Sequence, residues 1–212
     1  MSAKEELITA IKKGGGVYLV ETLASHCTPE DLGYALVMAC YMGDIASMSV
    51  LVFHDADVRF QEDLPLRIGC RSSKVNIQVV EALLKLGSDP NAAEGHPLYY
   101  TASTGNLEVV KALLDAGAKH SYPGNPALVP ASIKGHLKVV RLLVEAGADP
   151  DLGIQAIADD AVRRAFNRSG VLPSPLRGLG LGLGLGLTTC QLSTLDYLKG
   201  MTAPTVWEHL LA

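Results

Sequence analysis

Basic residues are not in excess in this sequence: 18 lysines and arginines stand against 22 aspartates and glutamates, giving a net charge of −4. A nucleic-acid binder needs a basic stripe to neutralise phosphates, so that class is excluded. No apolar run is long enough to cross a bilayer. The glycine–leucine alternation from Gly178 to Leu187 is only ten residues long, about half of what a spanning helix needs. Its glycines would each cost about 1 kcal/mol in a helix. The N-terminal residues are charged and amphipathic rather than leader-like, and the four cysteines are isolated. An intracellular, cytoplasmic location in a reducing compartment is expected.

Catalytic patterns are absent as well. The histidines at 26, 54, 96, 120, 136 and 209 never pair at ligand spacing. His54-x-x-Asp57 comes nearest to a metal cluster, but it coincides with a turn aspartate that recurs as Asp89 and Asp149, so a turn role is expected. Gly14-Gly15-Gly16 is not followed by the lysine–serine pair of a phosphate loop and reads as a turn between helices. No nucleophile elbow is present. The chain is therefore not expected to be an enzyme, and no catalytic residue, metal ligand or cofactor is assigned.

What the sequence does contain is repetition. VNIQVVEALLKLGSDPN at 75–91, GNLEVVKALLDAGAKHS at 105–121 and GHLKVVRLLVEAGADPD at 135–151 place their paired valines 30 residues apart. A fixed period of this length marks a stack in which each unit buries its apolar face only against its neighbours. Within a block, Leu107, Val110, Leu113 and Leu114 share one side of a helix. Gly87, Gly117 and Gly147 end these helices, because glycine enters the left-handed conformation without a side-chain clash. Asp55 takes that place upstream and tolerates the same conformation.

A second helix precedes the first in every unit. Aligning Leu36, Leu66, Leu98 and Leu128 puts Ala39-Cys40, Gly69-Cys70, Thr101-Ala102 and Ala131-Ser132 in one column. Small side chains there let neighbouring helices approach closely, which predicts the packing seam and assigns Cys40 and Cys70 to the core. On these residues the chain resembles the ankyrin repeat family, each unit of which is a short turn or hairpin followed by two antiparallel helices. Gly105 to Ala118 and the copy from Gly135 match the family's second helix. The family's opening Thr-Pro-Leu-His is reduced here to Leu64-Pro65-Leu66-Arg67, His96-Pro97-Leu98-Tyr99 and Pro126-Ala127-Leu128-Val129. With units of about 30 residues, short hairpin fingers are expected.

The expected fold is an all-α helical repeat solenoid over residues 1–170, with units at about 4–27, 28–60, 61–92, 93–122 and 123–152 and a capping helix at 154–168. Ser2-x-x-Glu5 predicts a capping box, and Thr28-Pro29 a helix start. Polar Lys12 and Lys13 suit an end that no repeat precedes. The third unit carries extra residues near Arg71 to Lys74, and Pro130 makes the first helix of the fifth unit its least secure element. The capping helix pairs Asp159 with Arg163 and Asp160 with Arg164 at i,i+4, a face suited to solvent. Residues 171–191 read as a proline then glycine–leucine low-complexity linker, and 192–212 as a short helical tail that folds back or docks elsewhere. That tail has Leu192, Leu195 and Leu198 in one helix and the sole tryptophan, Trp207, in another behind Thr205-x-x-Glu208. Residues 1–170 are expected to fold alone, as a monomer.

The resemblance implies a protein–protein interaction module, an adaptor or scaffold binding another protein on its concave surface. The implied contact residues at the ends of the first helices are Tyr41, Met42, Arg71, Ser73, Ser103, Thr104, Ile133 and Lys134. At the tips they are Glu62, Asp63, Glu94, His96, Tyr122 and Asn125. The alternative is a recruitment subunit of a ubiquitin-ligase-type complex docking through the C-terminal region. Ala161-Val-Arg-Arg-Ala-Phe followed by Leu172-Pro-Ser-Pro resembles the adaptor box of such proteins, with Ala158 near the place of its characteristic cysteine.

Overall fold

The computed structural model describes residues 2–72, 75–169 and 187–201, with side chains placed for all of these except 125, 161–163 and 165–169. Ser73, most of the glycine–leucine tract, the helix expected around Trp207 and the Leu172-Pro-Ser-Pro element lie outside the described residues. Among the described residues there are twelve helices and one pair of two-residue strands. The fold is all-α, of the helical-repeat type. Two compact units divide the chain: residues through Thr101 together with Glu108–Lys119, and Ala102–Leu107 together with residues from His120 on.

The first unit holds α1 (Ala3–Lys13), α2 (Val17–Ala24), α3 (Pro29–Met42), α4 (Ile45–Phe53), α5 (Phe60–Arg71), α6 (Ile77–Lys85) and the larger parts of α7 (Ala92–Thr104) and α8 (Leu107–Asp115). Helices pair in order, α1 with α2, α3 with α4 and α5 with α6. First helices then stack on first helices (α1, α3, α5) and second on second (α2, α4, α6). Local chemistry sets the starts. Ser2 and Glu5 form the capping box of α1, and Thr28 and Asp31 form one on α3 with Pro29 at its first position. Left-handed Asp55, Gly87, Gly117 and Gly147 follow the second helices, with φ of 63°, 95°, 90° and 99°.

Packing follows the seam. Leu36, Leu66 and Leu98 are fully buried, and so are Ala39, Cys40, Cys70 and Thr101. Each such leucine contributes about 1.5–3 kcal/mol by leaving water. A Cβ on Gly69 would lie 3.6 Å from the Cβ of Cys40, ordinary contact across the α3–α5 seam. The turns repeat too: Asp57 and Asp89 each accept a hydrogen bond from the backbone N–H two residues on, at 2.9 and 2.8 Å, and Asp149 does the same in the second unit at 3.0 Å.

The second unit contains the strands β1 (Ser121–Tyr122) and β2 (Asn125–Pro126), paired antiparallel, then α9 (Leu128–Lys134), α10 (Leu137–Glu145), α11 (Pro150–Ser169) and α12 (Thr189–Met201). Pro130 is the third residue of α9, within the first turn, where its missing N–H costs nothing. Helix α11 stacks on α9, and α12 packs against α9, α10 and α11. Cys190 and Gln191 at the start of α12 sit on Gly135, the closing glycine of α9, where an added Cβ would meet Cys190 at 2.7 Å. His136, which opens α10, sits on Gly105 in the same way. Relative to α11, α12 thus occupies the place of a repeat's second helix.

That docking changes the reading of the capping helix. Asp160 is not on a solvent face: only 8 % of it is exposed, and it pairs with Arg164 at 2.9 Å. Arg164 also donates to Gln191 Oε1 at 3.2 Å, while Gln191 Nε2 donates to the Ile133 carbonyl at 2.6 Å. Helix α12 covers the side of α11 that periodicity alone leaves open, burying its own Leu195 and Leu198. The side chain of Arg163 lies outside the described residues. Asp159 accepts instead from Gln155 Nε2, at 2.8 Å.

Candidate partner-binding face

With the leucine and small-residue columns buried, each first helix keeps a second stripe in contact with solvent. In the first unit this stripe consists of Tyr34, Val37, Met38 and Tyr41 on α3, of Leu64, Arg67, Ile68 and Arg71 on α5, and of His96, Tyr99 and Tyr100 on α7. The positions recur because the stripe lies two residues before and one, two and five after the buried leucine. Tyr41 is 47 % exposed, and its carbonyl accepts a hydrogen bond from Ser72 Oγ at 2.6 Å. The guanidinium of Arg71 stacks over the Tyr100 ring, 5.4 Å from its centroid, and Tyr100 meets His96 and Tyr99 edge-on at 5.6 and 5.7 Å. Arg71, His96, Tyr99 and Tyr100 therefore form one supported cluster.

The turns before these helices depart from a hairpin. Gln61, Glu62 and Asp63, and then Ala93, Glu94 and Gly95, all have φ between 48° and 80°. Glu62 and Glu94 are exposed there. Asp63, expected at a tip, is instead 3 % exposed: it pairs with Arg59 at 3.6 Å and accepts from the Asp89 N–H at 3.0 Å. Its carboxylate is consumed in bracing one turn against the next and is not available to a partner.

In the second unit, Ser103 is half-buried, with its carbonyl 3.1 Å from His136 Nε2, and Thr104 is exposed. Tyr122 is half-buried in β1, and the side chain of Asn125 lies outside the described residues. Ile133 is half-buried and Lys134 exposed. A small cleft of about 240 Å³ joins Val129 and Ile133 of α9 to Ala156, Asp159 and Asp160 of α11.

Residues 72–153 match the family model of ankyrin repeats, in three copies. The chain contains ankyrin repeats. The sequence matches no curated protein. Ankyrin repeats are protein–protein interaction modules, and no helix among the described residues is long and apolar enough to cross a membrane.

Of the contact residues that the ankyrin resemblance implies, the first unit brings Arg71 and His96 onto the same tyrosine, and the second unit sets Ile133 on the small cleft. The stripe also carries Tyr34, Arg67, Tyr99 and Tyr100, which the ankyrin resemblance does not single out; their spacing from Leu36, Leu66 and Leu98 is the signal that finds them. Away from this face, burial pushes the pKa of the seam thiol of Cys40 up to about 12 and that of Cys70 upward as well.

Proposed function

We propose that this protein is an adaptor or scaffold that holds another protein on the solvent-facing stripe of its first helices. The observation that carries the reading is the composition of that stripe in the first unit: tyrosine, methionine and arginine at positions packing does not require, with the rings of α7 already held against Arg71. Tyrosine and arginine are enriched among residues that dominate binding energy, since both make large contacts at small entropic cost. Glu62 and Glu94 flank the stripe at the turns. Ser103, Thr104, Tyr122, Ile133 and Lys134 of the second unit would form a contact of their own, and Ser73 belongs to the proposal by alignment only.

Recruitment through the C-terminal region is less favoured, because α12 turns Leu195 and Leu198 inward rather than toward a docking enzyme. The test uses a partner captured on immobilised full-length protein. Tyr41→Ala combined with Arg71→Ala should weaken that complex by more than about 1 kcal/mol while leaving the thermal midpoint unchanged, the behaviour of interface anchors. Undiminished affinity would reject the first-helix stripe as the binding face.

A further inference from the structure

Arg67 and Arg71 lie one turn apart on α5 and project from the same stripe. Neither forms an ion pair among the described residues, whereas Arg59 is paired with Asp63 and Arg164 with Asp160. The Nε of Arg67 is buried without a hydrogen-bond partner. That N–H is covered by the protein itself, so only the terminal Nη groups of Arg67 remain for a partner's carboxylate. Arg71 has its face occupied by the Tyr100 ring, which fixes the plane of the guanidinium and leaves its edge donors for something outside the unit. No carboxylate stands in the stripe itself, since its helical positions on α3, α5 and α7 are aliphatic, aromatic, arginine or histidine. The acidic groups of this face, Glu62 and Glu94, stand at the flanking turns, so the positive charge is concentrated on the helical surface of α5.

We infer that the first-helix stripe of the first unit recognises an acidic peptide segment of its partner, with aspartate or glutamate carboxylates held by the forks of Arg67 and Arg71 and an adjoining apolar side chain packed against Tyr41 and Tyr99. This rests on the proposed binding face and adds the chemistry of what that face takes. Guanidinium–carboxylate pairing is bidentate and stronger than a neutral hydrogen bond, and the tyrosines of α3 and α7 supply apolar contact beside the two charges. A partially desolvated stripe with unpaired positive charge disfavours basic segments by leaving like charges facing one another.

The experiment selects short random peptides, displayed on phage and so free of phosphate, on immobilised full-length protein. Binding of the recovered peptides is then measured by fluorescence anisotropy. The expected result is enrichment of aspartate and glutamate beside leucine or an aromatic residue, with affinity that falls as salt is raised. Arg67→Gln with Arg71→Gln should weaken these peptides about tenfold or more, and Arg71→Lys by an intermediate factor, because lysine keeps the charge but loses the fork. Circular dichroism melts of the variants separate this loss from unfolding. Recovered peptides that are not acidic, or that ignore the arginine substitutions yet are lost on Tyr41→Ala, overturn the acidic-segment inference and leave the binding face standing. Peptides insensitive to both sets of substitutions, or no enrichment over bare support, overturn the inference together with the face on which it rests.

Discussion

At the scale of single residues, the small-residue seam does the most to hold the repeats in register. Cys70 is fully buried beside Cys40. Cys70→Leu should cost about 1–3 kcal/mol by overpacking, and Cys70→Ala less; equal tolerance of the two in urea unfolding would mean that α3 and α5 meet in another register. The same burial gives a pH dependence. Both thiols have folded pKa values raised above their ordinary 9.0, so the neutral form is the one the fold accepts. Their contribution is complete below pH 9.0 and is lost as pH rises through the interval up to about 12, because the unfolded chain ionises there while the folded one resists. Wild type should therefore lose stability over that range more steeply than Cys40→Ala with Cys70→Ala. Parallel curves would contradict the assignment. Thiol labelling at neutral pH should reach exposed Cys190 first and Cys40 and Cys70 last.

At the scale of helices, what could be read from the sequence was whatever depends on local periodicity. The apolar periods, the capping box at Ser2, the helix start at Thr28 and the left-handed closures follow from residues within a turn or two of one another, and the buried seam from aligning one unit on the next. Features that depend on contacts between helices were not legible. The stacking of Arg71 on Tyr100 joins α5 to α7, and the burial of Asp63 depends on the following turn. Helix α12 has a weak period of its own, and its seat is set by contacts with distant helices, the closing glycine of α9 among them. That seat is testable. Gly117 and Gly135 are both left-handed, so alanine costs about 1–2 kcal/mol at either. A Cβ at Gly117 would meet nothing within 4 Å, whereas one at Gly135 would lie 2.7 Å from the Cys190 backbone. Gly135→Ala should therefore cost clearly more than Gly117→Ala and raise amide exchange in α12. Equal costs would mean that α12 does not rest there.

At the scale of the whole molecule, a stack of repeats is stable only when its ends are covered. Polar Lys12 and Lys13 are exposed on α1, whereas α11 is covered by a helix that comes from beyond residue 187. A chain ending at residue 170 should keep helical circular dichroism but melt at a lower temperature than the full chain, since it loses the burial of Leu195 and Leu198. An unchanged midpoint would show that α11 suffices as a cap. The central claim, that the first helices and not the second carry the partner, is tested most directly by hydrogen–deuterium exchange of the full chain with and without its captured partner. The account predicts new protection in residues 29–42, 60–71 and 92–101, with α2, α4, α6 and α8 unchanged. Protection confined to those second helices, or to residues beyond 187, would contradict it.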